Sequence, residues 1–499
     1  MWLNRLTKQW IDLPRPARVA VPFLLGMVAA LGQAPFEVPL LSLVAFAAGF
    51  ALLTVTEGPK QAARLGWLFA LGYFVLTLQW LVSPFLVEPE KHAWMAPFAV
   101  FFMAGGLALL WSLAFATARL AGAGALVLTL PMAELGRAYL FTGFPWGMPS
   151  YGLVNTWFGQ AASVIGAHGL NVLFLVVAFA LFLLLSAKPR HRLAAVVVSV
   201  LGMAAFWPLT KAPEGATETS GIVRLVQPNA PQHQKWDPLY TQVFFDRALE
   251  FTAAAGDPDL IIWPETSFPA SLPGGEAALQ QMAEAARGTP MVFGANRFDG
   301  PLIFNAAVFM DGTGALTQTY DKHHLVPFGE YVPFGELLAR FGIHGLAASE
   351  GRGFSAGPGA ELMDLGPLGK ALPLICYEAV FPQDVAATMD RPQLLMQITN
   401  DAWFGTFSGP HQHLAQARMR AIEQGLPMVR AANTGISALI DEKGRVLKAL
   451  PLNEAGYIDV ALPSAKAATP YSHTGDIPVV LVLTLGLIGL WIRRHRFMN

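Results

Sequence analysis

The chain has 499 residues, of which 13% are charged and 54% hydrophobic, with a formal net charge of −1. A soluble globular protein carries about 25% charged residues, so this composition excludes an ordinary soluble enzyme, and the charge balance argues against a dedicated nucleic-acid binder. There is one cysteine, Cys376, so no disulfide framework can form within the chain.

Hydropathy divides the sequence into three parts. Residues 1–210 are apolar runs separated by short polar loops, 211–474 have the composition of a soluble domain, and 475–499 begin with a further apolar run. Crossing a bilayer takes about 20 apolar residues. The runs predict membrane helices near 17–34, 38–56, 65–86, 94–119, 121–138, 166–186 and 193–210, with an eighth near 475–492. Trp491 falls at the end of the eighth, a common interfacial anchor position.

Basic residues give the orientation. Arg5, Lys8, Arg15 and Arg18 precede the first run; Lys60 and Arg64 follow the second; Arg119 follows the fourth. Lys188, Arg190 and Arg192 follow the sixth, and Arg493, Arg494 and Arg496 follow the last. The intervening loops are poor in Lys and Arg: "GQAPFEVP" has none, and "VEPEKHA" offsets Lys91 with Glu88 and Glu90. Basic loops stay in the cytoplasm. Both termini are therefore expected inside, and the 211–474 domain outside, in the periplasm of a Gram-negative cell. The loop "AYLFTGFPWGMPSYGL" at 138–153 falls on the domain's side and suits either an interfacial arm or an anchoring belt.

Within the domain, β-rich runs alternate with helical ones. Candidate strands are "GIVRLVQP", "LIIWPETS", "MVFGANRF", "LIFNAAVFM", "ALPLICYE", "LLMQITN" and "ISALIDEKG"; candidate helices cover 239–255, 276–287 and 411–425. Strands apolar throughout belong to sheets covered on both faces. The predicted class is a layered α/β domain on a polytopic helical bundle.

Three polar residues break the ends of such runs: Glu265 after "LIIWP", Lys322 in "YDKHHLVPFGEYVP" and Cys376 after "LPLI". Each has a plain structural reading as helix cap, surface charge and core residue. Together they form a complete chemical set. A thiolate is a nucleophile, a carboxylate can take its proton, and an ammonium can stabilise the oxyanion formed on a carbonyl. His411 and His413 stand two apart without an acidic partner at helical spacing, and read as structural or surface residues rather than metal ligands. No P-loop and no Cys-rich metal pattern occurs, and no cofactor is implied.

The strings "WPE", "DKHHLVPFGE" and "ICYE", in that order, resemble the Glu–Lys–Cys signature of the nitrilase, or carbon–nitrogen hydrolase, superfamily. The longer strings "WPETSFP", "KHHLVPFGEYVPF", "ICYEAVFP" and "NDAWFG", with the eight apolar runs, resemble its membrane-embedded branch, the bacterial apolipoprotein N-acyltransferases. That resemblance implies an α-β-β-α sandwich on a membrane bundle. It implies acyl transfer from a phospholipid, usually phosphatidylethanolamine, through a cysteine thioester, to the N-terminal amine of a diacylglyceryl-cysteine apolipoprotein. It makes Cys376 the nucleophile, Glu265 the base and Lys322 the oxyanion donor. It adds Glu330 as an acid that would orient the lysine or polarise the site, and Trp236 and Tyr377 as substrate contacts. Glu378, two residues past the nucleophile, would share its face on a strand, and there it could hydrogen-bond near the thiol or stand as a strand-end charge. Asn400, Asp401, Trp403 and Phe404 are expected to shape the pocket.

Two other functions use the same residues or the same topology. A membrane-anchored amidase or nitrilase would pass the acyl group to water, though small soluble amides require no membrane bundle. A transporter would place charges near mid-bilayer, whereas Glu134 and Arg137 sit near the end of the fifth run, where they can pair.

Overall fold

The computed structural model describes residues 10, 12–186, 219–333 and 353–498, and isolated positions at 189, 192–193, 196–197 and 340. Apart from the isolated positions 193, 196 and 197, the expected helix at 193–210 lies outside the described residues. The chain divides into two units, one made of residues 1–85, 89–214 and 469–499 and the other of 86–88 and 215–468.

The first unit is helical. It contains α1 (Arg15–Ala30), α2 (Pro39–Thr54), α3 (Pro59–Thr77), α4 (Ala96–Ala121), α5 (Leu126–Tyr139) and α6 (Ala162–Ser186). Proline near the first turn starts α1 to α4, where its missing N–H costs nothing. Among the described residues, three stretches are long and apolar enough to cross a membrane: Pro89–Ala121, Trp157–Leu185 and Ile477–His495. A fourth exists if α3 and the 3-10 segment Gln79–Leu86, bent by 46°, count as one span. The helices at the first, second and fifth apolar runs are shorter than the runs themselves, at 16, 16 and 14 residues. At 1.5 Å per residue, a 16-residue helix reaches about 24 Å, less than a hydrocarbon core of about 30 Å.

Small residues let these helices approach closely. A Cβ at Gly26 of α1 would lie 1.9 Å from the Phe69 carbonyl oxygen of α3, and one at Gly72 of α3 would lie 1.9 Å from the Phe23 carbonyl oxygen of α1. Glycine at such a crossing is common in membrane helices. Glu134 and Arg137 do pair, and the pair is buried. Glu134 also accepts from Trp111 Nε1 at 2.6 Å, and Arg137 Nη1 donates to the carbonyls of Phe144 and Trp146. The ion pair thus fastens the 138–153 loop to its own unit. Trp146 and Met148 of that loop are fully buried, and Phe141 is fully exposed.

The second unit is a four-layer α/β domain. One sheet runs β13 (Gly456–Pro463), β1 (Thr219–Gln227), β2 (Leu260–Ile262), β4 (Met291–Asp299), β5 (Leu302–Met310), β6 (Leu316–Asp321), with β3 (Ser271–Leu272) beside β4. The other runs β12 (Val446–Leu450), β11 (Ser437–Ile440), β10 (Met428–Ala432), β9 (Leu394–Thr399), β8 (Lys370–Ile375), β7 (Met363–Asp364). β1, β2 and β4 are parallel neighbours in the first sheet, as are β8, β9 and β10 in the second.

Helices α7 (Pro238–Ala253) and α8 (Glu276–Ala286) cover the first sheet through Phe245, Ala248, Met282 and Ala286. Helix α9 (Gly409–Gln424) covers the second through Ala417 and Ala421. The sheets meet where β1 touches β10 and β11, and where β5 touches β8. β9 and β10 are buried at every residue, as apolar runs covered on both faces require. The last described helix, α10 (Ile477–Met498), belongs to the first unit.

Candidate active site

The three residues that interrupt strand ends come together at the ends of β2, β6 and β8. β8 stops at Ile375, and Cys376 opens a 3-10 turn, Cys376–Val380, with φ +54. A non-glycine residue in this region is strained, and a sharp strand-to-turn corner presents a nucleophile at the edge of a sheet. The thiol is buried. Burial pushes its pKa well above the usual value, Glu265 pushes the same way, and Lys322 opposes them. At neutral pH the resting group is therefore a thiol, and attack requires a base.

Glu265, whose charge acts on the thiol, is the candidate for that base. Its Oε2 accepts the backbone N–H of Asn400 at 2.7 Å, and its Oε1 accepts Asn305 Nδ2 at 2.7 Å. Lys322 Nζ lies 3.9 Å from Glu265 Oε1 and donates to Glu330 Oε1 at 2.9 Å, with Glu330 Oε2 at 2.8 Å. Burial works against the lysine's charge, but Glu330, Glu265 and Cys376 outweigh it and raise its pKa above the ordinary value. Glu330 is held in turn by the Val326 N–H at 2.8 Å and by Asn305 Nδ2 at 3.1 Å. One asparagine side chain therefore touches both carboxylates.

Glu378 is in a different place from the one expected. The positive φ at Cys376 ends the strand, so the two residues do not share a strand face. The Glu378 carboxylate accepts from Ile375 N at 2.7 Å, His323 N at 2.9 Å and Tyr320 Oη at 2.9 Å, with His323 Nδ1 at 2.8 Å. It ties the turn carrying the nucleophile to the loop carrying Lys322. Burial would raise its pKa; the His323 hydrogen bond and charge overcome this and lower it.

Tyr377 is buried edge-on against Phe381 and His324, at 4.8 and 5.7 Å between ring centroids. These two ring contacts are packing. Asn400 holds the site together: besides its N–H to Glu265, Nδ2 donates to Gln232 Oε1 at 2.7 Å, and Oδ1 accepts Asn433 Nδ2 at 2.8 Å. Trp403 is half-buried in the 3-10 turn Asp401–Phe404. Trp236 is 45% exposed and lines a pocket with Lys235, Thr266, Phe244 and Asn433.

Asn305, Gln397 and Arg430 also contact the site residues and lie outside the motifs read from the sequence. Asn305 interrupts the apolar run "LIFNAAVFM", which was a readable signal. Beneath the nucleophile lies a buried polar network. Gln397 Nε2 donates to the Cys376 carbonyl at 3.1 Å; Gln397 Oε1 accepts from Arg430; Asp401 bonds Arg430 and, at 2.9 Å, His413 Nδ1. Burial opposes charge on Asp401, but Arg430 and His413 hold its pKa at about 2. Burial, reinforced by Arg430, lowers that of His413 and favours the neutral ring. His413 is thus a buried support of the Cys376 turn. Among the described residues, no cluster of three or more His, Cys, Asp or Glu could hold a metal ion.

Two family models match the chain, "Carbon-nitrogen hydrolase" over residues 222–470 and "Apolipoprotein N-acyltransferase N-terminal domain" over residues 25–180. The apolipoprotein N-acyltransferase of Rhodopseudomonas palustris is 34% identical, with 96% of this chain and 95% of the relative covered. That of Brucella suis is 35% identical with 99% of each covered, and that of Sinorhizobium fredii 37% identical with 92% and 93% covered. The chain belongs to the apolipoprotein N-acyltransferase family. The carbon–nitrogen hydrolase match contains Glu265, Lys322, Glu330 and Cys376, and the N-terminal family match contains α2 through α5 in full. In this N-acyltransferase family member, the Cys376 thiol, the Glu265 carboxylate and the Lys322 ammonium converge in the nitrilase-like unit.

Proposed function

We propose that the protein transfers an acyl chain from a membrane phospholipid, through a thioester on Cys376, to the α-amine of a diacylglyceryl-cysteine apolipoprotein. The observation that carries this reading is the joining, in one chain, of a nitrilase-like Glu–Lys–Cys site to apolar helices of membrane-crossing length, matched almost end to end by relatives named for that activity.

The steps follow from the residues present. Glu265 takes the thiol proton as Cys376 Sγ attacks the ester carbonyl carbon. The tetrahedral oxyanion forms near the Lys322 ammonium. Collapse breaks the acyl–glycerol bond, and Glu265 returns the proton to the glycerol oxygen, leaving thioester and lysophospholipid. The acceptor amine then attacks the thioester and loses a proton to Glu265. Collapse forms the amide and restores the thiol. The incoming amine competes with water by being positioned, and effective molarities of about 10⁵ M or more for well-oriented groups make this feasible.

In this reading phosphatidylethanolamine is the donor, and the protein sits in the inner membrane with eight spans, both termini cytoplasmic and the catalytic unit periplasmic. Residues 1–210 and 475–499 supply the spans, and 211–474 the catalytic domain. The alternation of basic and non-basic loops supports this orientation.

The test is product analysis with purified enzyme, phosphatidylethanolamine and a diacylglyceryl-cysteine peptide. N-acylated peptide should form with little free fatty acid. Fatty acid released at the same rate with or without peptide would make the protein a membrane-anchored hydrolase instead.

A further inference from the structure

Glu265 is followed by a residue in an unfavourable conformation. Thr266 has φ +46, a left-handed backbone that a β-branched side chain rarely adopts. Such strain persists only where the surroundings over-determine it. On one side, the turn rests on β4. Gly294 N donates to Pro264 O at 3.2 Å, Phe268 N donates to Gly294 O at 3.0 Å, and a Cβ at residue 294 would lie 2.3 Å from Thr266 N. On the other side stands Lys235, at the end of the helical turn Gln232–Lys235.

Lys235 is buried, with its Nζ 5.6 Å from the centroid of the Trp236 ring. It donates to Thr266 Oγ1 at 2.7 Å and to the Glu265 carbonyl oxygen at 3.0 Å. Both acceptors are neutral oxygens of the strained turn, and neither is a carboxylate. An ammonium buried on neutral acceptors costs stability, and its pKa is brought down to about 8 by burial, against the pull of Glu265 and Cys376. What it secures in return is geometry at the residue next to the base.

We propose that Lys235 is the positioning residue for the catalytic base: it clamps Thr266 in the left-handed conformation and thereby aims the Glu265 carboxylate at the thiol. The inference rests on the reading of Glu265 as the base for Cys376.

The experiment measures the rate of thioester formation at Cys376 from phosphatidylethanolamine, by quench and intact mass, in the full-length enzyme and five variants. Glycine adopts φ +46 without strain, so a glycine at 266 should not need the clamp. Lys235→Met should slow acylation about tenfold or more at saturating phospholipid, since small misplacements of a catalytic group carry penalties of that order. Thr266→Gly should stay close to the parent, and Lys235→Met/Thr266→Gly should recover most of the lost rate. Lys235→Arg, which keeps the donors, should fall between parent and Lys235→Met. Lys235→Met within twofold of the parent would overturn the proposal, and so would a double variant as slow as Lys235→Met, which would assign the loss to the missing charge. If Lys235→Met does not fold, the remaining pair decides: Thr266→Ala, which keeps the strain and loses the acceptor, should be slower than Thr266→Gly, and equal rates would overturn the clamp. A parent enzyme that forms no thioester would instead remove the functional reading itself.

Discussion

Lys322 gives its hydrogen bond to Glu330, at 2.9 Å, and leaves the Glu265 carboxylate 3.9 Å away. A lysine paired directly with the base would hold that carboxylate in a tight ion pair and weaken it as a proton acceptor. Glu330 takes up the lysine's bond, and Asn305 spaces the two acids by bonding both. Glu330→Gln should therefore slow acylation at Cys376 by about tenfold or more, a smaller loss than the roughly 10²–10⁴-fold expected for removing the base itself. Stopped acylation assays should show the loss in the maximal rate. An unchanged rate would separate Glu330 from the chemistry.

The three central residues have distinguishable losses. Cys376→Ala should form no thioester. Cys376→Ser should be nearly as inactive, because an alcohol is a far weaker acid than a thiol and Glu265 is a weak base for it. Glu265→Gln and Lys322→Ala should each slow acylation by on the order of a hundredfold. Near-normal turnover of Lys322→Ala would contradict the oxyanion role.

The Glu378–His323 pair predicts a pH dependence of stability. Burial opposes charge on His323, but the hydrogen bond and charge of Glu378, with Asp384, raise its pKa above the usual value. A group whose pKa is raised on folding contributes stability that is fully present below its unfolded pKa, about 6.5 for histidine, and is lost as pH rises through the folded value. The melting temperature of the parent should exceed that of His323→Gln most at about pH 6, and the gap should narrow toward pH 9. A gap that widens with pH would contradict the pairing.

Much of this site was legible because its residues break a pattern. Glu265 and Cys376 interrupt apolar runs, and all three central residues, Lys322 included, stand at strand ends, where layered α/β folds place their sites. Asn305, Gln397 and Arg430 interrupt apolar strands in the same way, yet their partners lie on other strands and helices, so their purpose emerges only from the folded contacts. Glu378 was misplaced because the apolar run gives no sign of the positive φ at Cys376 that ends β8. β6 and β12 lie outside the candidate strands as largely exposed edge strands without a continuous apolar run, and buried β10 lies outside them because Arg430 breaks its short run. Lys235 lies in no motif; its burial follows from the packing of Trp236 and the Glu265–Thr266 turn, which no local pattern encodes. In the helical unit, hydropathy marked α1 to α6 and α10 but overstated the lengths of α1, α2 and α5, and among the described residues three stretches, or four with the bent pair, are long and apolar enough to cross a membrane.

Orientation in the membrane can be read chemically. In a Cys376→Ala background, a cysteine introduced at Lys60 should be shielded from an impermeant thiol reagent in intact spheroplasts, and one at Glu88 should react. The reverse pattern would invert the proposed topology and remove the periplasmic site.

The central claim is a covalent acyl group on Cys376 that waits for an amine. Its most direct test is the intact mass of the purified enzyme after exposure to phosphatidylethanolamine alone, then to peptide. The parent should gain one acyl chain, and Cys376→Ala none. The adduct should persist in buffer, disappear on addition of a diacylglyceryl-cysteine peptide with a free α-amine, and remain when that amine is blocked. A parent enzyme that gains no mass, or an adduct that water removes as fast as the peptide does, would contradict the account.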